Sequence, residues 1–486
     1  MSSIPSGPGR RSQFVLGPGF IGSDAWQRFD LDQSLRLSAH PDLSVHQARG
    51  DDCRLTLLGY ALDWSRPDAS DSDIVEHLSR VSSSFDKCVE ATSDLGGRWI
   101  LIYQDNNGSK IFHDAAGLRQ ICFSAEQSGG KIWCASQPGL LAEVAGLSPD
   151  ADALGFIDQM QEQDEEYWWP GDRQPYEGTQ ALIPNHYLDL DSKTHKRYWP
   201  IGERQSLSYE EVCLRVSRKL EGSMLAANRR FDLALGLSAG WDSRMLLAAS
   251  RQIRNDIAVY TGIAPGMGSD HMDVVVPTRL MKRLDMRHDI VQQAPHVAPE
   301  FLYYFNSHTW RPHPRFATAM QAEFQQYGQS KVAVVGNVSE VGKLPYRNVH
   351  SGTGPVDGQL LAICAGMAEH KFAIQAFDSW LAGVPRDSGY EVLDIFYWEQ
   401  RLGRWFAANC IDFDIGWQDV CAPFNVRSLL IDLLACDEKY RGRQHSQLYL
   451  DVIRNLWPDA LSEPINPKPR PGIRKRLCRL GKRYLG

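Results

Sequence analysis

The sequence predicts two folded units of different class: an α+β unit built on antiparallel sheet, followed by an α/β unit with an open parallel sheet. Three observations carry this reading. Between Leu55 and Ala135 short apolar runs are separated by tight turns such as Asn106-Asn107-Gly108. From Leu233 onward strand-like runs alternate with helical stretches, the signature of parallel sheet. Between the first of those runs and its helix stands a turn rich in hydroxyls and glycine, Ser238-Ala239-Gly240-Trp241-Asp242-Ser243.

The elements follow in order. Residues 1–20 are rich in Gly, Pro and Ser and are expected to be loosely ordered. Residues 21–203 form the α+β unit, with strands expected at 54–60, 97–103, 110–113, 120–124 and 131–135. Helices are expected over 73–95 and 152–164, and a strand pair at 187–191 and 197–199 closes the unit. Residues 204–466 form the α/β unit: a helix near 209–228, strands at 233–237, 257–262 and 332–336, and a helix over 272–284. Residues 467–486 are a basic tail. In an open parallel sheet ligands sit at the carboxyl ends of the strands, where Ser238, Gly262 and Gly336 would converge.

Length and composition set the outer bounds. With 486 residues, 43% hydrophobic and 23% charged, the chain has enough apolar material for two or three cores. A net charge of −7 gives no reason to expect nucleic acid as a partner. Ten cysteines without CxxC spacing indicate neither a zinc cluster nor a disulfide framework, and fit a reduced, cytoplasmic enzyme. No apolar stretch is long enough for a signal peptide or a membrane span.

A strand, a tight turn and a helix together make a phosphate cradle, because the first N–H groups of a helix lack partners and carry partial positive charge. Gly240 lets the backbone approach an anion, Ser238 and Ser243 add hydroxyls, and Asp242 suits a magnesium ion held between phosphate oxygens. The plain alternative is an ordinary helix start capped by Ser238 or Asp242. The turn is not a Walker loop, since no Gly-Lys-Ser/Thr is present. It resembles the PP-loop of the ATP pyrophosphatases, SGGxDS, with Ala239 in place of the first glycine.

Further segments resemble the asparagine synthetase family. Gly96-Gly97-Arg98-Trp99 and Asp114-Ala115-Ala116-Gly117-Leu118-Arg119 look like its class II amidotransferase sheet. Leu182-Ile183-Pro184-Asn185-His186-Tyr187-Leu188 and Arg197-Tyr198-Trp199 follow in the family's order, ahead of the loop. Val335-Gly336-Asn337-Val338-Ser339-Glu340-Val341-Gly342 stands where the family has SGEGSDE, and Ala422-Pro423-Phe424-Asn425-Val426-Arg427 resembles its RVPFLD segment.

The resemblance implies ATP and Mg2+. Phosphates would lie on Ser238, Gly240, Asp242 and Ser243, adenine near Leu237, Tyr260 and Gly262, with Gly336 alongside, and the metal on Asp242 and Glu340. A carboxylate would attack the α-phosphate to give an acyl-adenylate and pyrophosphate, and an amine or ammonia would then displace AMP. Arg244 and Lys468 are the candidate cations for the departing pyrophosphate. Asp270 and Asp273 are either nucleotide-proximal acids or favourable charges at a helix start, and His288 is expected to be structural.

Two departures alter the expected chemistry. The family's glutaminase uses an N-terminal cysteine, whereas position 2 is Ser2, no cysteine precedes Cys53, and the glutamine-binding Arg-Gly-Pro-Asp and Asn-Gly-Glu segments have no counterpart. No glutaminase activity is expected, so nitrogen would come from ammonia, a partner or a primary amine. Asn337 replaces a glutamate near the adenylate; it can hydrogen-bond but cannot take a proton, and the alternative to Glu340 as metal ligand is that it takes the basic role, leaving the metal to Asp242 alone.

The implied function is an ATP-dependent amide-forming ligase acting on a small-molecule carboxylic acid. The other readings are an ATP-binding scaffold that has lost chemistry, or a different enzyme with the same loop, such as a guanylate synthetase or a transfer-RNA thiolase. Trp310, His313, Tyr346, His350, Trp398, Trp405 and Trp417 are expected as core filling, with a substrate pocket as the other reading. Trp398 would share a helix face with Arg401 or Trp405. The tail after Pro467 is read as solvated or as a basic amphipathic helix on an anionic membrane surface.

Overall fold

Strand alternation builds the first unit. The computed structural model describes residues 10–21, 25–124, 131–162, 167–309, 316–347, 349–350, 354–442 and 446–467. Two six-stranded antiparallel sheets lie face to face. One runs 194–197, 186–189, 108–113, 95–105, 54–63, 45–49; the other runs 179–181, 122–124, 134–135, 14–17, 36–39, 27–30. Alternation along Leu95–Asp105 sends Ile100 and Ile102 between the sheets, against Phe14, Leu37 and Phe123. It sends Trp99, Leu101 and Tyr103 outward, under helices Asp71–Val81 and Phe85–Ala91.

The expected loose start is corrected here. Phe14–Gly17 is a buried strand, paired with Arg36–Ala39 and Cys134–Ala135. Its apolar run FVLG fills the space between neighbours, which outweighs the flanking Gly and Pro. The helix expected over 73–95 is broken in two, because Ser84 caps a fresh helix by accepting the Lys87 N–H.

The second unit is a five-stranded parallel sheet. In chain order its strands are Leu233–Gly236, Ala258–Ile263, Asp289–Gln292, Val332–Val334 and Val420–Cys421, and in space they run third, second, first, fourth, fifth. The order therefore reverses between the first and fourth strands. At such a switch point the two following loops diverge and leave a crevice. The long helix Tyr209–Arg230 packs against Trp241–Ala249 and Gln447–Leu456 beside this sheet. No helix among the described residues is long and apolar enough to cross a membrane.

The two units are joined by a buried polar seam. Arg98 bonds Asp414 at 2.6 Å and Asp419 at 2.9 Å, and Arg119 reaches Asp419 at 3.2 Å. Asn425 donates to Gly97 O and Asp114 Oδ1, each at 2.8 Å, and accepts the Ala116 N–H at 2.8 Å. Tyr60 donates its hydroxyl to Val420 O at 2.7 Å, on the edge strand of the parallel sheet. Gly59, at φ +88°, admits this arrangement: a Cβ there would stand 2.3 Å from Arg98 O and 2.6 Å from Arg119 Nε.

Both Arg98 and Asp414 are fully enclosed, so neither charge has water to fall back on. Removing one partner of a buried pair leaves the other uncompensated, at a cost of roughly 3–5 kcal/mol. Arg98→Met is therefore expected to lose stability on that scale in urea denaturation. An unchanged midpoint would show that the seam does not hold the units together.

Candidate functional site

The hydroxyl-rich turn sits at the switch point. Helix Trp241–Ala249 begins with Gly240 as its N-cap and has no side-chain cap, so neither Ser238 nor Asp242 plays the capping role. Ser238 and Ser243 instead close the turn on itself, their hydroxyls 3.1 Å apart, while Ser238 Oγ also accepts the Gly240 N–H at 3.1 Å. The Ala239 N–H donates to the Asp273 carboxylate at 2.9 Å. An anionic oxygen thus already occupies one donor of the turn, and Asp273 acts on the loop as well as at its own helix start.

The loop after the fourth strand meets this turn. A Cβ on Gly336 would stand 2.7 Å from Asp242 Cβ, so only glycine allows the two loops to approach this closely. Ser339 donates its hydroxyl to Asp242, and Lys343 forms an ion pair with the same carboxylate. The segment Ser339–Lys343 is a short 3-10 helix flanked by Val338 at φ +81° and Leu344 at φ +54°. Left-handed backbone at a β-branched valine is strained, and it falls where the SGEGSDE pattern that this segment resembles has glycine. Buried partners hold the segment in place: Tyr449 donates to Ser339 O, and Arg441 bonds Val341 O and Asp394 at 2.8 Å each.

Between these loops opens a cleft of about 620 Å³. Asp242, Glu340, Lys343, Tyr397, Arg401 and Trp168 are among its walls. Glu340 has an Oε2 that is buried without a partner. Burial, and then the Asp242 charge, push its carboxyl up to about 7, while Lys343 pulls the other way. A pair of repelling carboxylates with an unsatisfied oxygen suits a hard divalent cation, and Mg2+ ordinarily takes only one or two protein carboxylates plus phosphate and water. Among the described residues no group of three or more His, Cys, Asp or Glu offers a fuller cage.

Several expected residues are not where the nucleotide reading needs them. Tyr260 is enclosed in the core, its ring 5.6 Å from those of Tyr327 and Trp417 and its hydroxyl directed at Glu323, so it does not face a ligand. A parallel strand is buried on both faces, and apolar pattern alone does not distinguish them. Leu237 is likewise buried, and its N–H bonds Tyr260 O at 2.8 Å. Gly262 is the penultimate residue of the second strand and is partly exposed. Asn337 is partly exposed but does not line the cleft. Asp270 is exposed, and His288 bonds Thr261 Oγ1 at 2.9 Å in a structural role.

Arg244 also turns away from the cleft. It is completely buried and donates to Ala460 O at 2.8 Å, Glu463 O at 2.9 Å and Pro464 O at 3.4 Å. That grip brings the C-terminal segment to the loop, where the Asn466 N–H donates to Ala239 O at 2.9 Å. Lys468 and most of the basic tail lie outside the described residues, as do Ser2, Trp310 and His313. Trp398 and Trp417 are core residues with no exposure, while Tyr346 lines the cleft. Among the described residues, the cations that reach the cleft, Lys343 and Arg401, were missed as site residues because neither belongs to a loop motif.

Arg244→Met is expected to cost about 3 kcal/mol, since charged hydrogen bonds to buried carbonyls are lost together. It should also speed amide hydrogen exchange at Asn466. Exchange at Asn466 that matches the parent protein would mean the grip does not position this segment.

No family model matches the chain, and no curated protein matches it. Among solved structures, a glutamine phosphoribosylpyrophosphate amidotransferase from B. subtilis, complexed with ADP and GMP, is 9% identical, covering 68% of this chain and 70% of that one at a TM-score of 0.23. A second, described as the allosteric regulatory enzyme of purine biosynthesis, is 11% identical, covering 67% and 68% at a TM-score of 0.25. Superpositions this loose carry no argument about what this chain does.

Proposed function

We propose that this chain is an ATP-dependent carbon–nitrogen ligase of the asparagine synthetase type, with a PP-loop in its parallel-sheet unit. The observation that carries the reading is the meeting of two loops at the switch point, which puts Asp242 and Glu340 beside an uncapped helix start. Phosphates of ATP would lie against Ser238, Gly240 and Ser243, with Gly336 packed beneath Asp242. Asp242 and Glu340 would hold Mg2+, whose part is to neutralise charge on the phosphate oxygens. Lys343, and Lys468 by its rough match to the family's late lysine, are the cations proposed for the pyrophosphate in place of Arg244.

In this reaction a carboxylate oxygen bonds the α-phosphorus as the bond to the bridging α–β oxygen breaks, and pyrophosphate leaves. Preorganised donors and cations matter more to such a transfer than a base does. An amine nitrogen then bonds the acyl carbon, the carbon–oxygen bond to AMP breaks, and one proton must be lost. Asn337 has no site for it. Glu340, with a carboxyl that titrates near neutrality, is fit to take that proton once pyrophosphate and cation have gone.

Glutamine hydrolysis is not part of the proposal. The nitrogen source is ammonia or a primary amine, and the antiparallel unit serves as scaffold and wall. A scaffold that binds ATP without chemistry is the second reading. It draws on the internal partners already on the loop, Asp273 at Ala239 and Lys343 at Asp242.

Purified protein is expected to exchange pyrophosphate into ATP with at least one acid of a carboxylic-acid panel, and to release no glutamate from glutamine. Asp242→Asn should lower exchange by on the order of a hundredfold. No exchange with any acid, with ATP binding retained, would favour the scaffold. A second expectation concerns pH. A cation prefers the ionised carboxylate, so Mg·ATP affinity should hold above about 7 and weaken as pH falls through it. Calorimetric titrations of Glu340→Gln should show weaker binding with that slope removed; an identical slope would assign it to another group.

A further inference from the structure

A cation of the protein's own already stands where the nucleotide reading places the metal. Lys343 forms an ion pair with Asp242 Oδ1, the same oxygen that accepts the Ser339 hydroxyl, and its charge also bears on the Glu340 carboxyl. The two carboxylates of the site thus share an internal counterion, supplied by the short helix Ser339–Lys343 that carries Glu340 as well. Lys343 is only 9% exposed, and its ammonium lies 5.7 Å from the centre of the Tyr449 ring. A charge so enclosed has to keep an anion within reach.

Asp242 is placed differently. Its side chain is 26% exposed and lines the cleft, as Lys343 does, so a ligand can take the place of Lys343 beside it. The exchange is unequal for different ligands. A bare divalent cation arriving at Asp242 displaces the lysine and leaves an enclosed ammonium beside a doubly positive ion, with no anion to receive it. A cation arriving on a polyphosphate brings the receiving anion with it, because phosphate oxygens that the metal does not hold remain free for the ammonium. Tyr449 and Arg441 clamp the backbone of the segment, so the movement is confined to the flexible four-carbon stem of the lysine.

We propose that Lys343 makes cation binding conditional on the nucleotide: it neutralises Asp242 while the cleft is empty and passes to a phosphate oxygen when cation and nucleotide enter together. The proposal names the regulation of the ligase site and rests on the ligase reading for the identity of the nucleotide. Metal and nucleotide then raise each other's affinity by the same factor, as linkage requires. The empty site is kept free of stray divalent ions, and Lys343 serves the phosphates only after it has been released from Asp242.

The test uses the full-length protein and two titrations. In the first, Mn2+ stands in for Mg2+ without nucleotide, and the free ion is read by electron paramagnetic resonance. In the second, calorimetry follows the magnesium complex of an ATP analogue with a methylene group between its α- and β-phosphates, which the enzyme cannot cleave there. The parent protein is expected to bind Mn2+ alone weakly. Lys343→Met and Lys343→Gln should each bind Mn2+ alone about tenfold more tightly and the analogue complex about tenfold more weakly. Adding Asp242→Asn to Lys343→Met should remove the gain in Mn2+ binding, and Lys343→Arg, which keeps the charge, should bind Mn2+ as weakly as the parent. A merely structural lysine would move both affinities down together. Parallel losses in the Met and Gln variants, no gain in Mn2+ binding, or a gain that survives Asp242→Asn would each overturn the proposal. Opposite shifts in a protein that exchanges no pyrophosphate would sink the ligase reading and leave this one standing; exchange with parallel shifts would do the reverse.

Discussion

Arg98 is the group on which the rest of the structure depends. Its guanidinium is sealed between two carboxylates of the parallel-sheet unit, Asp414 and Asp419, while its own strand belongs to the antiparallel sandwich. A charge in such a place is tolerable only when every partner is present. The seam therefore has one geometry that satisfies all its members, and Asn425 reinforces it by serving Gly97, Asp114 and Ala116 at once. Hydrophobic contact alone would let the two units slide; hydrogen-bond directions do not. Because the seam is rigid, Trp168 from one unit and Arg401 from the other meet at a fixed separation.

The cleft shows the opposite economy. Around it the protein keeps features that cost stability: a valine in left-handed backbone, a carboxyl with an unsatisfied oxygen, the ten-residue π-helix Tyr397–Phe406 and orphan indole N–H groups. Strain of this sort persists only where the surroundings over-determine it. Here the surroundings are identifiable. Tyr449 and Arg441 clamp the 3-10 segment from beneath, and Arg197, Asn185 and Trp380 converge on Glu399 to hold the π-helix. Arg244 belongs to the same bracing, drawing the C-terminal segment against the loop.

Several of these relations are legible in the sequence alone. The strands at 54–60, 97–103 and 110–113 were readable because short apolar runs bounded by turn residues are a local signal, and so were the parallel strands at 233–237 and 332–336. Three of the segments that resemble the asparagine synthetase family outside the loops, around Arg98, Asp114 and Asn425, meet in one seam in space. The strand Phe14–Gly17 was missed because its stability comes from two distant partner strands rather than from its own composition. The break at Ser82 to Ser84 was missed because a single capping hydroxyl decided it.

What the sequence determined by itself is the set of elements and the turn that joins Leu233–Gly236 to Trp241–Ala249, since propensity, periodicity and glycine placement act over a few neighbouring residues. Only the tertiary structure decided which way side chains point from those elements. Arg244 follows the loop in sequence yet faces the C-terminal carbonyls, and Tyr260 ends in the core beside Trp417. Arg401 and Lys343, which belong to no motif, arrive at the cleft through the winding of a π-helix and a strained 3-10 turn. The reason is range: a strand or helix is specified by its own residues, but its orientation is set by buried partners hundreds of residues away, and those meet only after the chain has folded.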